Sequence, residues 1–206
     1  MNIAHHCKLV QRNIRMNRRL VLLMGLVASH AAGAAGIDIE RGAGVAAGIF
    51  TGIYIHELGH AAAFLAAGAD EIRIRVPGPH CRLLCGQTDG KWTRAPSRAE
   101  GRVISVAGFV ASNVGAELLM RHEAGAKSAF GQGFVATNLY SNVAHVVTYY
   151  TKVRGRDGYR GNDIDSYELT GGNPHLLSAG LLAYSLYALH RMHKKNIPVM
   201  FVKIPF

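Results

Sequence analysis

Residues 49–68, IFTGIYIHELGHAAAFLAAG, form an apolar run that three ionisable side chains interrupt. His56 and His60 are four residues apart, so a helix places both imidazoles on one face with Glu57 beside them. Ionisable groups within a membrane helix are costly unless they have a partner. The run therefore predicts a helix whose two histidines hold a metal ion.

Zn²⁺ suits this donor set, since two imidazoles and one carboxylate leave a fourth position for a water whose pKa falls toward about 7. We expect Glu57 to be the catalytic residue, a general base that takes a proton from that water. The carboxylate ligand must come from elsewhere in the chain. Spacing alone does not choose it among the downstream acidic residues, which are Asp70, Glu71, Asp89, Glu100, Glu117, Glu123, Asp157, Asp163, Asp165 and Glu168.

Composition points toward lipid. Of the 206 residues 49% are hydrophobic and only 17% are charged, below the roughly 25% of ordinary globular proteins, which excludes an intrinsically disordered chain. The net charge is +10, but the basic residues lie between apolar blocks instead of forming one stripe. We therefore expect a lipid bilayer as partner, and no nucleic acid.

Five apolar blocks carry almost no Lys or Arg, and the middle three are close to the ~20 residues needed to cross a bilayer as a helix. The predicted fold class is mainly α, a polytopic transmembrane helix bundle with a small polar β-hairpin on the inner face. Gly44, Gly48 and Gly52 recur every four residues and predict close packing against another helix. The blocks are 20–36, 42–68, 102–120, 129–151 and 175–190.

The chain is expected to divide into three parts. Residues 1–19 form a basic N-terminal tail, and residues 20–36 are either a signal peptide or the first transmembrane helix. Residues 37–206 form the core. Within it, the alternating run EIRIRV and the glycines after it predict a hairpin at about residues 70–96.

The basic residues also predict an orientation. With the loops 69–102 and 152–172 inside, most Lys and Arg lie on the inner side, as the positive-inside rule expects. Four basic residues disagree, namely Arg191, Lys194, Lys195 and Lys203. His60 lies eight residues before Gly68, about 12 Å along a helix, so the metal is expected nearer the inner face.

Three segments resemble the site-2 protease family of intramembrane zinc metalloproteases. HELGHAAAFLAAGADEIRI, residues 56–74, is similar to that family's metal-binding helix and the strand after it. AGFVASN, residues 107–113, is similar to the family's Gly-Pro-x-x-Asn helix start, with Phe109 in place of Pro and Asn113 one residue late. GNDIDSYELTGG, residues 161–172, is similar to the segment that completes the metal site.

The resemblance implies a zinc-dependent endopeptidase that hydrolyses a peptide bond in or near a transmembrane segment of a membrane protein substrate. It implies His56, His60 and Asp163 as zinc ligands, with Asp165 as the nearest rival to Asp163. No stretch is long enough for the PDZ domain of some members. The expected location is the bacterial inner membrane, with the active site nearer the cytoplasmic side.

Asn138, Asn142 and His145 form a polar stripe on one face of the 129–151 helix. Asn138 or Asn142 is a candidate to bind the substrate or its oxyanion, and interhelical hydrogen bonding is the alternative reading.

Two other functions remain open. One is a soluble or peripheral zincin-type metallopeptidase whose third ligand is a glutamate such as Glu117, and the other is a non-catalytic metal-binding membrane scaffold. The sequence leaves the oligomeric state and the substrate undetermined.

Overall fold

Four long helices account for most of the residues that the computed structural model describes, which are 38–79, 85–152 and 161–198. The predicted tail 1–19 and the predicted segment 20–36 lie outside these residues. The chain divides into two units, Met1–Ala43 and Gly44–Phe206. In the first unit, the described residues 38–43 contain the start of α1, where Asp38 Oδ1 accepts a hydrogen bond from the Arg41 backbone N–H. The packing between helices and the two-stranded sheet lie within the second unit.

The long helices match the four apolar blocks that lie within the described residues. They have 28, 24, 23 and 21 residues, so even the shortest is about 32 Å long at 1.5 Å per residue. The helices are α1 (Ile39–Ala66), α2 (Arg98–Arg121), α3 (Glu123–Lys127), α4 (Ala129–Thr151), α5 (Asp163–Leu169) and α6 (Pro174–Lys194).

The predicted mainly α fold is confirmed as far as secondary structure is concerned. Among the described residues, α2 alone is long and apolar enough in composition to cross a membrane. The polytopic membrane bundle therefore stays a prediction.

Local sequence explains where the helices begin and end. Ser97 and Glu100 form a capping box at the start of α2, with each side chain accepting a hydrogen bond from the other residue's backbone N–H. Asn173 caps α6 immediately before Pro174 at its first turn. Gly68, with φ +78°, takes the left-handed conformation just after α1, where a side chain would be strained.

The glycines of α1 bring it into backbone contact with α4. A Cβ on Gly48 would overlap the carbonyl oxygen of Phe130, and one on Gly133 would overlap the carbonyl oxygen of Val45. The predicted close packing is thus confirmed, and α4 is the partner.

Two clusters of buried side chains join the other helices. The first connects α2, α4 and α6 through residues such as Met120, Phe134 and Met192. The second contains Phe109 of α2 and Ile164 of α5, which is fully buried. Ile164 thereby anchors the short helix that begins at Asp163.

The predicted hairpin is present as a two-stranded antiparallel sheet. Strands β1 (Glu71–Arg75) and β2 (Gln87–Lys91) pair with Ile72 opposite Gly90 and Ile74 opposite Thr88. Ile72, Ile74, Thr88 and Gly90 share one face of this sheet. The other face is polar, and there Glu71 pairs with Arg73 and Lys91. Lys91 and Arg73 hold the pKa of Glu71 below its usual value. The side of the membrane on which this hairpin lies remains a prediction.

Candidate metal centre

Helix α1 presents His56, Glu57 and His60 as buried side chains. The fourth group, Asp163, is the first residue of α5. Asn162 caps that helix, since its Oδ1 accepts from the Ile164 N–H at 2.9 Å. The Asn162 amide also donates to the His145 carbonyl oxygen at 2.7 Å, so the start of α5 is tied to α4. This fixes where the Asp163 carboxylate lies.

The two imidazoles and the carboxylate converge on one point. His56 Nε2 and His60 Nε2 are 3.1 Å apart, and Asp163 Oδ2 lies 3.0 Å from the first and 3.2 Å from the second. Tetrahedral zinc with bonds of 2.0–2.1 Å holds its ligand atoms about 3.3 Å from one another. The triangle therefore has nearly the size of one face of such a site, and this group could hold a metal ion.

Hydrogen bonding settles which ring atom of His60 faces the centre. His60 Nδ1 donates to the Ile104 carbonyl oxygen at 2.7 Å, so in the neutral ring Nε2 carries the lone pair. His56 Nδ1 has no hydrogen-bond partner among the described residues, and its ring is held by Phe109, whose ring centroid is 5.3 Å away. The His60 lone pair, His56 Nε2 and the Asp163 carboxylate oxygen thus converge, an arrangement that suits a proton or a cation between them.

The charge of Asp163 suits such a cation. Burial acts to raise the pKa of this carboxyl, but the positive charge of a protonated His60 and the hydrogen bonds of His56 and His60 hold it well below its usual range. A cation in place of that proton would favour the ionised carboxylate in the same way. Two imidazoles and one carboxylate are a donor set that zinc accepts, so the residues fit the metal implied by the sequence.

Gly108 explains why the imidazoles can approach α2. A Cβ at this position would overlap His60 Nε2 and lie 2.6 Å from His56 Nε2. Gly108 is the glycine of the AGFVASN segment. Phe109, which follows it, contacts the rings of His56 and His145 edge to face.

Glu57 is covered by the hairpin. Thr88 Oγ1 lies 2.7 Å from Glu57 Oε2 and 3.0 Å from the Glu57 carbonyl oxygen. A Cβ on Gly86 would overlap the Glu57 side chain. The sequence alone does not mark Thr88 or Gly86 as site residues, since their approach to α1 depends on how the hairpin folds back.

His145 is a third imidazole at the centre. Its Nδ1 donates to the Ser141 carbonyl oxygen at 2.8 Å, and its Nε2 lies 3.4 Å from Asp163 Oδ2. The ring stacks on His56 with centroids 5.7 Å apart. The sequence places His145 on the polar stripe of α4, and the structure brings this member of the stripe to the histidine pair.

The rival ligands lie elsewhere. Asp165 Oδ1 is 3.7 Å from Lys152 Nζ, and Glu117 pairs with Arg191. Asp163 is therefore the carboxylate that joins the two histidines.

Asn138 and Asn142 make no hydrogen bond to His56 or His60 among the described residues. Asn142 donates to Asn113 Oδ1 at 3.0 Å and to Ser185 Oγ at 3.4 Å, so it takes part in interhelical hydrogen bonding. Asn138 is buried, and its amide has no hydrogen-bond partner among the described residues. A substrate role for either remains a prediction.

Comparison of the chain with models of protein families, with curated proteins and with solved structures finds no match.

Proposed function

We propose that this protein is a zinc-dependent intramembrane endopeptidase of the site-2 protease type. The observation that supports it most is the convergence of His56 Nε2, His60 Nε2 and Asp163 Oδ2, with the buried Glu57 one residue from a ligand. These three atoms would hold the zinc ion. When bound, zinc supplies a Lewis acid that polarises the scissile carbonyl and acidifies water.

The chain's own residues carry the proton transfers. Glu57 accepts the proton of the attacking water and delivers it to the leaving amine nitrogen. The His60 ring keeps one orientation because its Nδ1–H is bound to the Ile104 carbonyl oxygen. Phe109 and the buried face of α1 exclude bulk water from the rings, which strengthens the electrostatic interactions there.

Exposed apolar side chains support a position within the lipid. Large apolar residues are exposed along α2, α4 and α6, and in a bilayer lipid tails would cover them. They include Val103, Val110, Val114 and Leu118 on α2, Tyr140, Val143 and Val147 on α4, and Leu176, Leu182 and Leu186 on α6. The proposed location is the bacterial inner membrane, and the positive-inside rule favours the orientation with the hairpin toward the cytoplasm.

The substrate would be a transmembrane segment of another protein. Its helix must unwind locally, because helical amides are already hydrogen-bonded within the ladder. Among the described residues the β1–β2 sheet has two strands, so an extended substrate could add along an outer edge. Thr88 of this sheet contacts Glu57, so a strand paired there would pass beside the general base.

Cleavage of a model single-span substrate in proteoliposomes tests the proposal. The variants are Glu57→Gln and, as a matched control, Glu123→Gln, whose exposed carboxylate pairs with Lys127. Glu57→Gln should lower the rate by about 100-fold or more, because a general base contributes that much. Glu123→Gln should cleave like wild type.

Equal cleavage by wild type and Glu57→Gln would contradict the proposal. Stoichiometric zinc without cleavage of any substrate would favour the non-catalytic scaffold.

A further inference from the structure

The hairpin lies along one face of α1. Glu57 and Phe64 are seven residues apart, so they share a face of the helix. Thr88 contacts Glu57, and the ring of Trp92 packs on Phe64 with centroids 4.9 Å apart. Gly90 lies between Thr88 and Trp92 in the sequence, and a Cβ on it would crowd the rings of Phe64 and Trp92. Thr88 and Gly90 of β2, and Trp92 just after it, thus face α1 over two helical turns.

The contact with Glu57 is a hydrogen bond from the Thr88 hydroxyl to the Glu57 carboxyl group. Thr88 has one hydroxyl proton, and its oxygen lies closer to the Glu57 carboxylate, at 2.7 Å, than to the Glu57 carbonyl, at 3.0 Å. A carboxylate is the stronger acceptor of the two. Among the described residues, Thr88 is the side chain that hydrogen-bonds this carboxylate.

We infer that Thr88 is a positioning residue for Glu57, and that the catalytic carboxylate is held in place only while the hairpin is seated on α1. The inference rests on the proposed function, which it deepens. Thr88 fixes Oε2, and Gly86, having no side chain, leaves space for the Glu57 carboxyl group. A substrate strand that adds to the hairpin therefore meets a general base whose orientation that hairpin sets.

Turnover of the zinc-loaded full chain by Thr88→Val, Thr88→Ser and Thr93→Val tests this. Valine keeps the shape of threonine without its hydroxyl, and serine keeps the hydroxyl. Thr93→Val is the matched control, since Thr93 Oγ1 also bonds a carboxylate, Asp70 Oδ2 at 2.9 Å, but not Glu57.

Thr88→Val should lower kcat about tenfold with KM and zinc content unchanged, because the loss of a partner by a buried polar group costs about that factor. Thr88→Ser and Thr93→Val should stay within about twofold of wild type. Wild-type kcat in Thr88→Val, or an equal loss in Thr88→Ser, would overturn the inference.

A double-mutant cycle measures the coupling between Thr88 and Glu57 without a cleavage assay. The melting temperature is measured for the metal-free wild type, Thr88→Val, Glu57→Ala and the double variant. Thr88→Val should lower it by about 3 °C when Glu57 is present and by much less when Glu57→Ala has already removed the carboxylate.

Additive shifts would overturn the inference, whether or not the chain is a protease. A coupled cycle in a chain that cleaves nothing would keep Thr88 as the residue that orients Glu57 and would reject the proposed function alone.

Discussion

At the scale of single residues, the site depends on glycine at position 108 as much as on the metal-binding side chains. The Nε2 atoms of His56 and His60 face Gly108 of α2, where a Cβ would overlap one and lie 2.6 Å from the other. Real carbon–nitrogen contacts are longer, so any larger residue must push the rings or the helices apart. The geometry of the metal ligands is therefore sensitive to this backbone position.

Gly108→Ala should weaken zinc binding by about 10- to 100-fold, which corresponds to the usual overpacking penalty. Gly180→Ala is the control, because a Cβ on Gly180 meets no described atom within 4 Å. Competition with a zinc-sensitive chelator measures both affinities. Wild-type affinity in Gly108→Ala would show that the rings do not lie against α2.

Sequence spacing predicts His56, Glu57 and His60, because the relation between residues four apart is fixed within one helix. Spacing leaves the third ligand open among ten acidic residues, and the resemblance to the site-2 protease family leaves Asp165 as the nearest rival to Asp163. The two aspartates are about 200° apart on α5, so only one can face the histidines. The hydrogen bond from Asn162 to the His145 carbonyl oxygen of α4, together with the burial of Ile164, sets which one does. Both are tertiary contacts, so spacing along the chain does not report them.

At the scale of elements, α1 and α4 are in backbone contact. A Cβ on Gly48 would overlap the Phe130 carbonyl oxygen and lie 2.7 Å from the Phe134 nitrogen. Backbone atoms move less easily than the end of a flexible side chain. The two helices must separate to admit a larger residue here.

Gly48→Ala should therefore destabilise the protein by about 1 to 3 kcal/mol. Gly180→Ala should be neutral or stabilising by up to about 1 kcal/mol, as expected for alanine in an open helical position. Thermal unfolding in detergent compares the two variants. A Gly48→Ala protein as stable as Gly180→Ala would contradict the close approach of α1 and α4.

The glycine spacing predicts such an approach, but it does not name the partner helix. Any helix with small residues would fit, and Gly133 of α4 is one of many candidates in a chain with 24 glycines. The hairpin is predictable from the sequence because its alternating run and its glycines are local patterns, as the apolar blocks of the helices are. Its seating on Glu57 and Phe64 is not, since it depends on the chain reversal after α1.

At the scale of the whole molecule, the apolar blocks predict the long helices well, because each block is a continuous local pattern. Whether they all cross a bilayer is a different question, since buried helices of a soluble protein are equally apolar. The exposed residues of α2, such as Val110, Val114 and Leu118, favour lipid contact.

The protein should therefore remain in the membrane pellet after extraction with alkaline carbonate and should be released by detergent. The physical reason is that its exposed apolar side chains lose their favourable environment in water. Release by carbonate alone would contradict the membrane assignment and would favour a peripheral metallopeptidase.

The most direct test of the central claim is the zinc content of the purified protein, compared between Asp163→Ala and Asp165→Ala by elemental mass spectrometry. The two carboxylates are two residues apart on α5, but only Asp163 lies within 3.2 Å of both imidazole Nε2 atoms. Wild type and Asp165→Ala should each retain about one zinc ion per chain, as expected for a site with three protein ligands. Asp163→Ala should lose most of it, and a zinc content equal to that of Asp165→Ala would contradict the site.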